Sequence, residues 1–296
     1  MPWRGEHDPY RIWVSEVMLQ QTRVAAVIEY YGRFLKKFPT VTKLARANES
    51  DVLATWSGLG YYRRARMMHK AAQAVVKEHG GKFPQTAIAL RNLPGIGRYT
   101  ASAIASIAFN QLVAVLDGNV ERVLLRVLGK KLEQNKLWDI AQQWLAPARP
   151  GDFNQAMMEL GATVCLPKSP MCLECPLFQW CKTRGEHSGS KKEKRKQENI
   201  KLAILERAGR IKLVQRAHGH SLMAGMWELP QAAGKSQPIL RAKHSITKTD
   251  FMVTIHRESR SPQNGRWFTK SELDQVPLTG LTRKVLANLN ILKRRK

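Results

Sequence analysis

Apolar residues recur at three- and four-residue intervals from early in the chain: Val14, Val17, Met18, Val24 and Ile28 share one stripe, with Gln21 among them. That period is the signature of a helix with one buried face. It returns over residues 41–55, 62–78, 88–92, 100–109, 120–128, 137–144 and 153–161. Phe83-Pro84 and Arg149-Pro150-Gly151 interrupt it and read as turns. Alternating β-branched runs are scarce before residue 177, so this stretch reads as an all-α region of short helices.

The pattern changes after Cys181. Residues 182–201 are polar and densely charged, and the run Lys191-Lys192-Glu193-Lys194-Arg195-Lys196 has no apolar surface to bury. A charged linker is expected over 184–199, after a helical domain at 1–183. Beyond it the apolar runs 202–205 and 211–214 flank the turn dipeptide Ala208-Gly209, and 251–255 alternates as a strand does. Residues 271–273 and 281–292 return to helical spacing. The chain is therefore expected to be multidomain, with a small α+β domain over 200–296.

Composition narrows the partner. The 296 residues include 49 Lys and Arg against 23 Asp and Glu, a formal charge of +26. Such an excess gains free energy by displacing counterions from phosphates, which points to nucleic acid. An anionic membrane surface is the rival. No apolar run approaches the roughly eighteen residues of a spanning helix, however, and Met1-Pro2-Trp3-Arg4 opens no signal peptide. The chain reads as soluble and cytoplasmic. Charge alone does not separate a DNA-processing enzyme from a noncatalytic DNA-binding scaffold.

The chain's four cysteines, Cys165, Cys172, Cys175 and Cys181, all fall in one short stretch. In an intracellular chain that clustering argues for a metal centre rather than disulfides. Structural zinc modules pair two short knuckles across a longer gap, and here only Cys172 and Cys175 form one. Unequal spacings on a loop stiffened by Pro167, Pro170 and Pro176 suit a cubane better. Spacing thus favours iron–sulfur, leaves zinc open, and leaves unliganded core thiols as a third reading.

Leu93-Pro94-Gly95-Ile96-Gly97 joins two helical segments. Gly95 and Gly97 permit a tight turn, and the free N–H groups of the helix that opens with Arg98-Tyr99 form an anion site; a plain interhelical turn is the alternative. Asp117 stands at a helix start, where aspartate is ordinarily a cap, but a carboxylate fixed there also faces a forming cation. Glu16 lies among Val14, Val17, Met18 and Leu19 on a helix with little polar face. An exposed glutamate is the ordinary alternative; burial would raise its pKa and suit it to general-acid work.

The succession EVMLQQT, GLGYYRRAR, LPGIGRYTA, LDGNVERVL and the cysteine loop resembles the helix–hairpin–helix DNA glycosylases over nearly all of residues 1–183. The resemblance implies an all-α helix–hairpin–helix glycosylase region, a [4Fe-4S] cluster on the four cysteines, and double-stranded DNA as partner. Endonuclease III relatives carry a strand-cleaving lysine where this chain has Tyr99. The resemblance therefore implies the monofunctional MutY-type branch, which removes adenine opposite 8-oxoguanine or guanine in base excision repair. On that likeness Glu16 protonates adenine, Asp117 stabilises the sugar cation, and Tyr99 and Asn119 orient them. Gln21 and Tyr61 match residues that enter the duplex, and Gly95, Gly97 and Arg98 match the phosphate-gripping hairpin. Arg4 matches a residue of the adenine pocket.

Ala224-Gly225-Met226-Trp227-Glu228-Leu229-Pro230 and Arg266-Trp267-Phe268 resemble the Nudix-like C-terminal domain of the same branch. Two departures stand out. The family's opposite-base loop, Phe-Ser-His or Phe-Thr-His, corresponds here to His244-Ser245-Ile246-Thr247-Lys248, where Ile246 stands for the aromatic and Lys248 for the terminal histidine, while Thr247 keeps a hydroxyl donor. The carboxylates a Nudix pyrophosphatase needs for magnesium are also missing, so the domain is expected to recognise DNA. A monomer associated with the nucleoid is expected. An endonuclease III-like glycosylase/lyase and a noncatalytic scaffold are the alternatives.

Overall fold

The computed structural model describes residues 1–185, 195–217, 223–234, 236–246 and 249–293. Its first part is helical: α1 (Pro9–Leu19), α2 (Val24–Lys37), α3 (Val41–Ala45), α4 (Glu49–Trp56), α5 (Arg63–His79), α6 (Ala87–Leu90), α7 (Arg98–Phe109), α8 (Gly118–Leu128), α9 (Gln134–Trp144) and α10 (Pro150–Thr163). The chain divides into two compact units, one of residues 1–46 with 70–191, the other of 47–69 with 192–296.

Three expectations are corrected in the helical part. The stripe from Val14 to Ile28 is not one helix: α1 stops at Leu19, Gln21 adopts a left-handed φ of 56°, and α2 starts afresh at Val24. Ile28 is exposed, while Val27, Tyr30, Tyr31 and Phe34 form the buried face of α2. Residues 41–55 also split. Thr40 caps α3 through the Lys43 N–H, and extended Asn48 opens α4 with Glu49 and Asp51 in its first turn, where acidic side chains favour a helix start. Finally, Pro150 begins α10 rather than a turn, since a proline at the first helical position gives up only an N–H the helix does not use.

In the first unit α7 is the central helix. Ala101, Ala103, Ile104 and Ala105 have no accessible surface, and α1 and α10 pack on it. A helix apolar on all sides must be covered on all sides. Two glycines let α10 approach. A Cβ on Gly151 would lie 2.6 Å from the Ser106 carbonyl oxygen on α7, and one on Gly161 would lie 2.6 Å from the Asn119 Cβ on α8. Between them buried Asn154 donates to Ser106 Oγ (2.9 Å) and the Val113 carbonyl (2.9 Å), and accepts from the Val115 N–H (3.1 Å). These bonds fix the segment that leads into Asp117.

The second unit carries β1 (Lys196–Ile204), β2 (Glu206–Arg207), β3 (Arg210–Gln215), β4 (Trp227–Glu228), β5 (Pro238–Ile246), β6 (Thr249–Arg257), β7 (Arg266–Phe268), α11 (Lys270–Leu273) and α12 (Gly280–Asn288). Strand β6 pairs parallel with β1 and antiparallel with β5; β3 pairs antiparallel with β2, β4 and β7. Ala208 and Gly209 both have positive φ, as a two-residue hairpin of mirror-image type requires. Leu202, Ile204, Leu213, Val253, Ile255, Phe268, Leu278, Val285 and Leu286 form the core.

Here too the expectations need adjusting. Strand β1 reaches into the segment expected as linker, because pairing from Lys196↔Thr249 onward satisfies the backbone of its polar end. Residues 186–194 of that linker lie outside the described residues. Strand β5 was not anticipated, although Leu240, Ala242, His244 and Ile246 alternate with Arg241, Lys243 and Ser245.

Substituting Gly161→Ala is expected to destabilise the chain by about 1–3 kcal/mol, the cost of overpacking. The readout is a lower urea midpoint at unchanged slope. Gly32→Ala, in mid-α2 with nothing within 4 Å of the added carbon, is the control and should gain up to about 1 kcal/mol.

Candidate active site and cysteine loop

Ile12 to Met18 are all buried along α1, and Glu16 is among them, 6% exposed. Its partner comes from α7: the Tyr99 hydroxyl donates to Glu16 Oε2, and the same hydroxyl oxygen lies 3.3 Å from Met158 Sδ on α10. Burial pushes the Glu16 pKa up and the charge of Asp117 adds to that, while the Tyr99 hydrogen bond and Arg4 oppose it. The Tyr99 phenol is likewise held well above its ordinary range, first by burial and then by Glu16 and Asp117. Arg4 donates to Gln155 Oε1 at 2.6 Å and pairs with Glu159 at 3.0 Å. Glu16, Tyr99, Asp117 and Arg4 therefore share one electrostatic neighbourhood.

Asp117 caps α8. Its Oδ1 accepts the N–H groups of Asn119 (2.9 Å) and Val120 (2.7 Å), and its Oδ2 accepts the Asn119 side-chain amide at 2.9 Å. Both oxygens are thus oriented on a half-buried carboxylate. Asn119 Oδ1 in turn accepts from Arg122, which also donates to the carbonyls of Gly161 (2.6 Å) and Cys165 (2.7 Å). One turn further, Arg126 is 3% exposed and donates to Cys165 Sγ (3.3 Å), the Leu166 carbonyl (2.7 Å) and the Pro167 carbonyl (3.2 Å). Sequence reasoning gave these arginines no role. Their signal was there: Arg126 sits on the buried face of α8, between Val123 and Val127.

The four free thiols line one pocket that opens to solvent, together with Arg126, Phe178 and Arg184. The Lys182 and Thr183 N–H groups donate to the Val127 and Arg126 carbonyls at 3.1 Å and return the loop to α8. Burial pushes the Cys175 thiol up against a backbone hydrogen bond at Leu177. Among the described residues no three His, Cys, Asp or Glu side chains converge as ligands of a single metal ion.

The sites expected to touch DNA fall in several places. Gly95 has φ 74°, Gly97 precedes α7 in extended form, and no side chain caps that helix. Exposed Arg98 stacks its guanidinium 3.9 Å from the Trp138 ring centroid. Gln21 is exposed. In the other unit Tyr61 is 49% exposed with φ 48°. The Ser245 hydroxyl donates to Asp250 Oδ1 at 2.7 Å, so its proton is engaged inside the sheet. Ile246 ends β5 opposite Thr249. Thr247 and Lys248 lie outside the described residues. Among the described residues no helix is long and apolar enough to cross a membrane.

Residues 14–146 match the HhH-GPD superfamily base excision DNA repair protein family. The chain is 52% identical to the adenine DNA glycosylase of Rattus norvegicus over 62% of its own length and 38% of that protein's. It is 41% identical to the adenine DNA glycosylase of Homo sapiens over 82% and 56% of the two. Against that of Buchnera aphidicola subsp. Schizaphis graminum the identity is 40%, over 68% and 60%. The chain thus spans roughly two-fifths to three-fifths of these curated relatives. Among solved structures a thermostable thymine-DNA glycosylase superposes with TM-score 0.58 at 29% identity, covering 62% of this chain and 88% of that one. An endonuclease III in a DNA complex shares the fold, with TM-score 0.55 at 24% identity over 60% and 85%.

The raised Glu16 pKa has a consequence for stability. Above the ordinary 4.5 the folded chain holds this proton more tightly than the unfolded chain, so stability is lost as pH rises toward the folded pKa. Glu16→Gln, which removes the titration, is expected to raise Tm by a few degrees at pH 8 and to change it little at pH 4. An equal shift at both pH values in differential scanning calorimetry would contradict the raised pKa.

Proposed function

We propose, from the match of residues 14–146 to the HhH-GPD superfamily of base excision DNA repair proteins, that this chain is a monofunctional adenine DNA N-glycosylase, acting on adenine opposite 8-oxoguanine or guanine. The observation that carries this reading is the buried Glu16 carboxyl bonded to Tyr99 beside Asp117. The identities of 40–52% to adenine DNA glycosylases support the choice of base.

The chemistry follows from the residues. Adenine must leave the stack to be reached, at a cost of a few kcal/mol. Glu16, whose hold on its proton burial strengthens, gives that proton to adenine N7, and the glycosidic electron pair leaves with the base. Asp117, its oxygens fixed by the start of α8 and by Asn119, faces the positive charge that develops on the sugar. Water then adds to the anomeric carbon and returns a proton to Glu16, leaving an abasic site. Tyr99 holds the carboxyl in position, and Arg4 lines the adenine pocket. An endonuclease III-like lyase needs an amine at the anomeric carbon, and the polar partners described around Glu16 and Asp117 are a phenol, an amide and a guanidinium.

Gly95, Gly97 and Arg98 grip the phosphate backbone, and Gln21 and Tyr61 enter the duplex. The C-terminal sheet is a Nudix-like module that reads the opposite base around Ser245–Lys248. The enzyme works as a cytoplasmic monomer on nucleoid DNA. Cys165, Cys172, Cys175 and Cys181 would hold a [4Fe-4S] cluster, since all four thiols line one pocket and Arg126 donates to Cys165 Sγ, as suits thiolate ligands. When bound it supplies rigidity to the loop.

In single-turnover assays the native chain should release adenine from A·8-oxoguanine and A·G duplexes faster than from A·C or A·T. Glu16→Gln should lose at least about 10²-fold, and Asp117→Asn about 10²–10³-fold. No release from any duplex, or release undisturbed by both substitutions, would sink the assignment. The purified chain should contain iron and acid-labile sulfide in equal amounts, and Cys172→Ser should lose its visible absorbance; stoichiometric zinc would replace the cluster reading.

A further inference from the structure

The loop from Ser57 to Tyr62 joins α4 to α5 and lies in the same compact unit as the C-terminal residues. Gly58 (φ 111°), Gly60 (φ 74°) and Tyr61 (φ 48°) are all left-handed, a conformation a tyrosine adopts only where its surroundings impose it. Inside the loop, the Trp56 indole N–H donates to the Gly60 carbonyl at 3.0 Å and Arg64 donates to the same oxygen at 3.3 Å. At its base Ser57, with no accessible surface, donates its hydroxyl to the Leu278 carbonyl at 3.0 Å. The Tyr62 hydroxyl lies 3.3 Å from that carbonyl as donor and accepts the Gly58 N–H at 3.3 Å.

The other side of this base is equally fixed. Arg283, in the first turn of α12, donates its Nε–H to Ser57 Oγ at 3.1 Å and pairs with Asp274 at 3.5 Å. The Trp227 N–H donates to the Pro277 carbonyl at 2.8 Å and the Thr279 N–H to the Trp227 carbonyl at 2.9 Å, which pins Leu278 between them. Thr279 then caps α12. Acceptor and donor thus both come from the junction of β4 with α12. At the opposite end of the loop the half-exposed Tyr61 ring has the Arg64 guanidinium 5.3 Å from its centroid. An exposed aromatic ring beside a cation is a surface on which a nucleic-acid base stacks.

We propose that Ser57, Leu278 and Arg283 are positioning groups that clamp the base of the 57–62 loop, so that the C-terminal part of the chain sets how Tyr61 meets a DNA duplex. The proposal rests on the function above only in taking the duplex as Tyr61's partner. None of the three groups need touch DNA.

The test is a double-mutant cycle in the full chain, with Ser57→Ala, Tyr61→Ala and the pair. The probe is a duplex carrying a tetrahydrofuran abasic analogue with 2-aminopurine as the adjacent base, and the readouts are Kd and the 2-aminopurine fluorescence change. With Tyr61 present, Ser57→Ala should weaken binding about five-fold, a coupling in the range seen for interacting residues, and abolish the fluorescence change. In the Tyr61→Ala background it should do neither. Equal losses in both backgrounds, no loss in either, or no duplex binding by the native chain overturns the proposal. Should Ser57→Ala be partly unfolded at the assay temperature, Arg283→Gln goes through the same cycle under the same criteria. Binding to the abasic analogue needs no glycosidic chemistry. A chain that releases no adenine therefore sinks the proposed activity alone, and one that releases adenine without this coupling sinks the clamp alone.

Discussion

Keeping the Glu16 carboxyl away from water while giving it a partner is the constraint around which the helical unit is arranged. An ionised carboxylate isolated at such a position would cost several kcal/mol, so the group must keep its proton or find a donor. The Tyr99 hydroxyl is that donor, and it reaches Glu16 because the small side chains of α7 let α1 lie close. Gln20 on Thr100, at 3.2 Å, is a second tie between the same elements. Helix α10 closes the other side with Met158, and brings Gln155 and Glu159 to Arg4. That closure depends on the missing side chains of Gly151 and Gly161.

Helix α8 extends the arrangement outward. Its first turn orients the Asp117 carboxylate, and residues spaced by four along one face, Arg122 and Arg126, hold the start of the cysteine loop by its carbonyls and one thiol. The direction of the carboxylate and the conformation of the loop are thus set by a single rigid element. A buried guanidinium beside a cysteine sulfur is also an electrostatic fit for a thiolate, since it offsets the charge that a metal-binding cysteine carries.

Much of this was legible along the chain, for physical reasons that also explain what was not. Helices with a long, strongly periodic face, such as α5, α8 and α9, declare themselves because burial alone selects their register. Glu16 was legible because an acid flanked by Val14, Val17 and Met18 has nowhere polar to go. The break at Gln21 and the division at Asn48 were not, since both are made by backbone conformations that the apolar stripe runs straight across. Strand β5 was hidden by Arg241 and Lys243, which line an outward face and dilute the alternation. The roles of Arg122 and Arg126 escaped because their partners are backbone carbonyls of a distant segment, and carbonyls leave no mark in a sequence.

The bond from Ser57 to Leu278 joins residues 221 positions apart. During synthesis the segment of residues 47–69 leaves the ribosome well before the carbonyl that receives its serine and the arginine that braces it are made. Contacts that close so long a stretch of chain form late. Until then Ser57 and Tyr62, buried in the finished protein, have no Leu278 carbonyl to receive their hydroxyls. The order of translation therefore imposes a waiting period on an apolar segment, the interval in which a nascent chain is most exposed to aggregation and most in need of a chaperone.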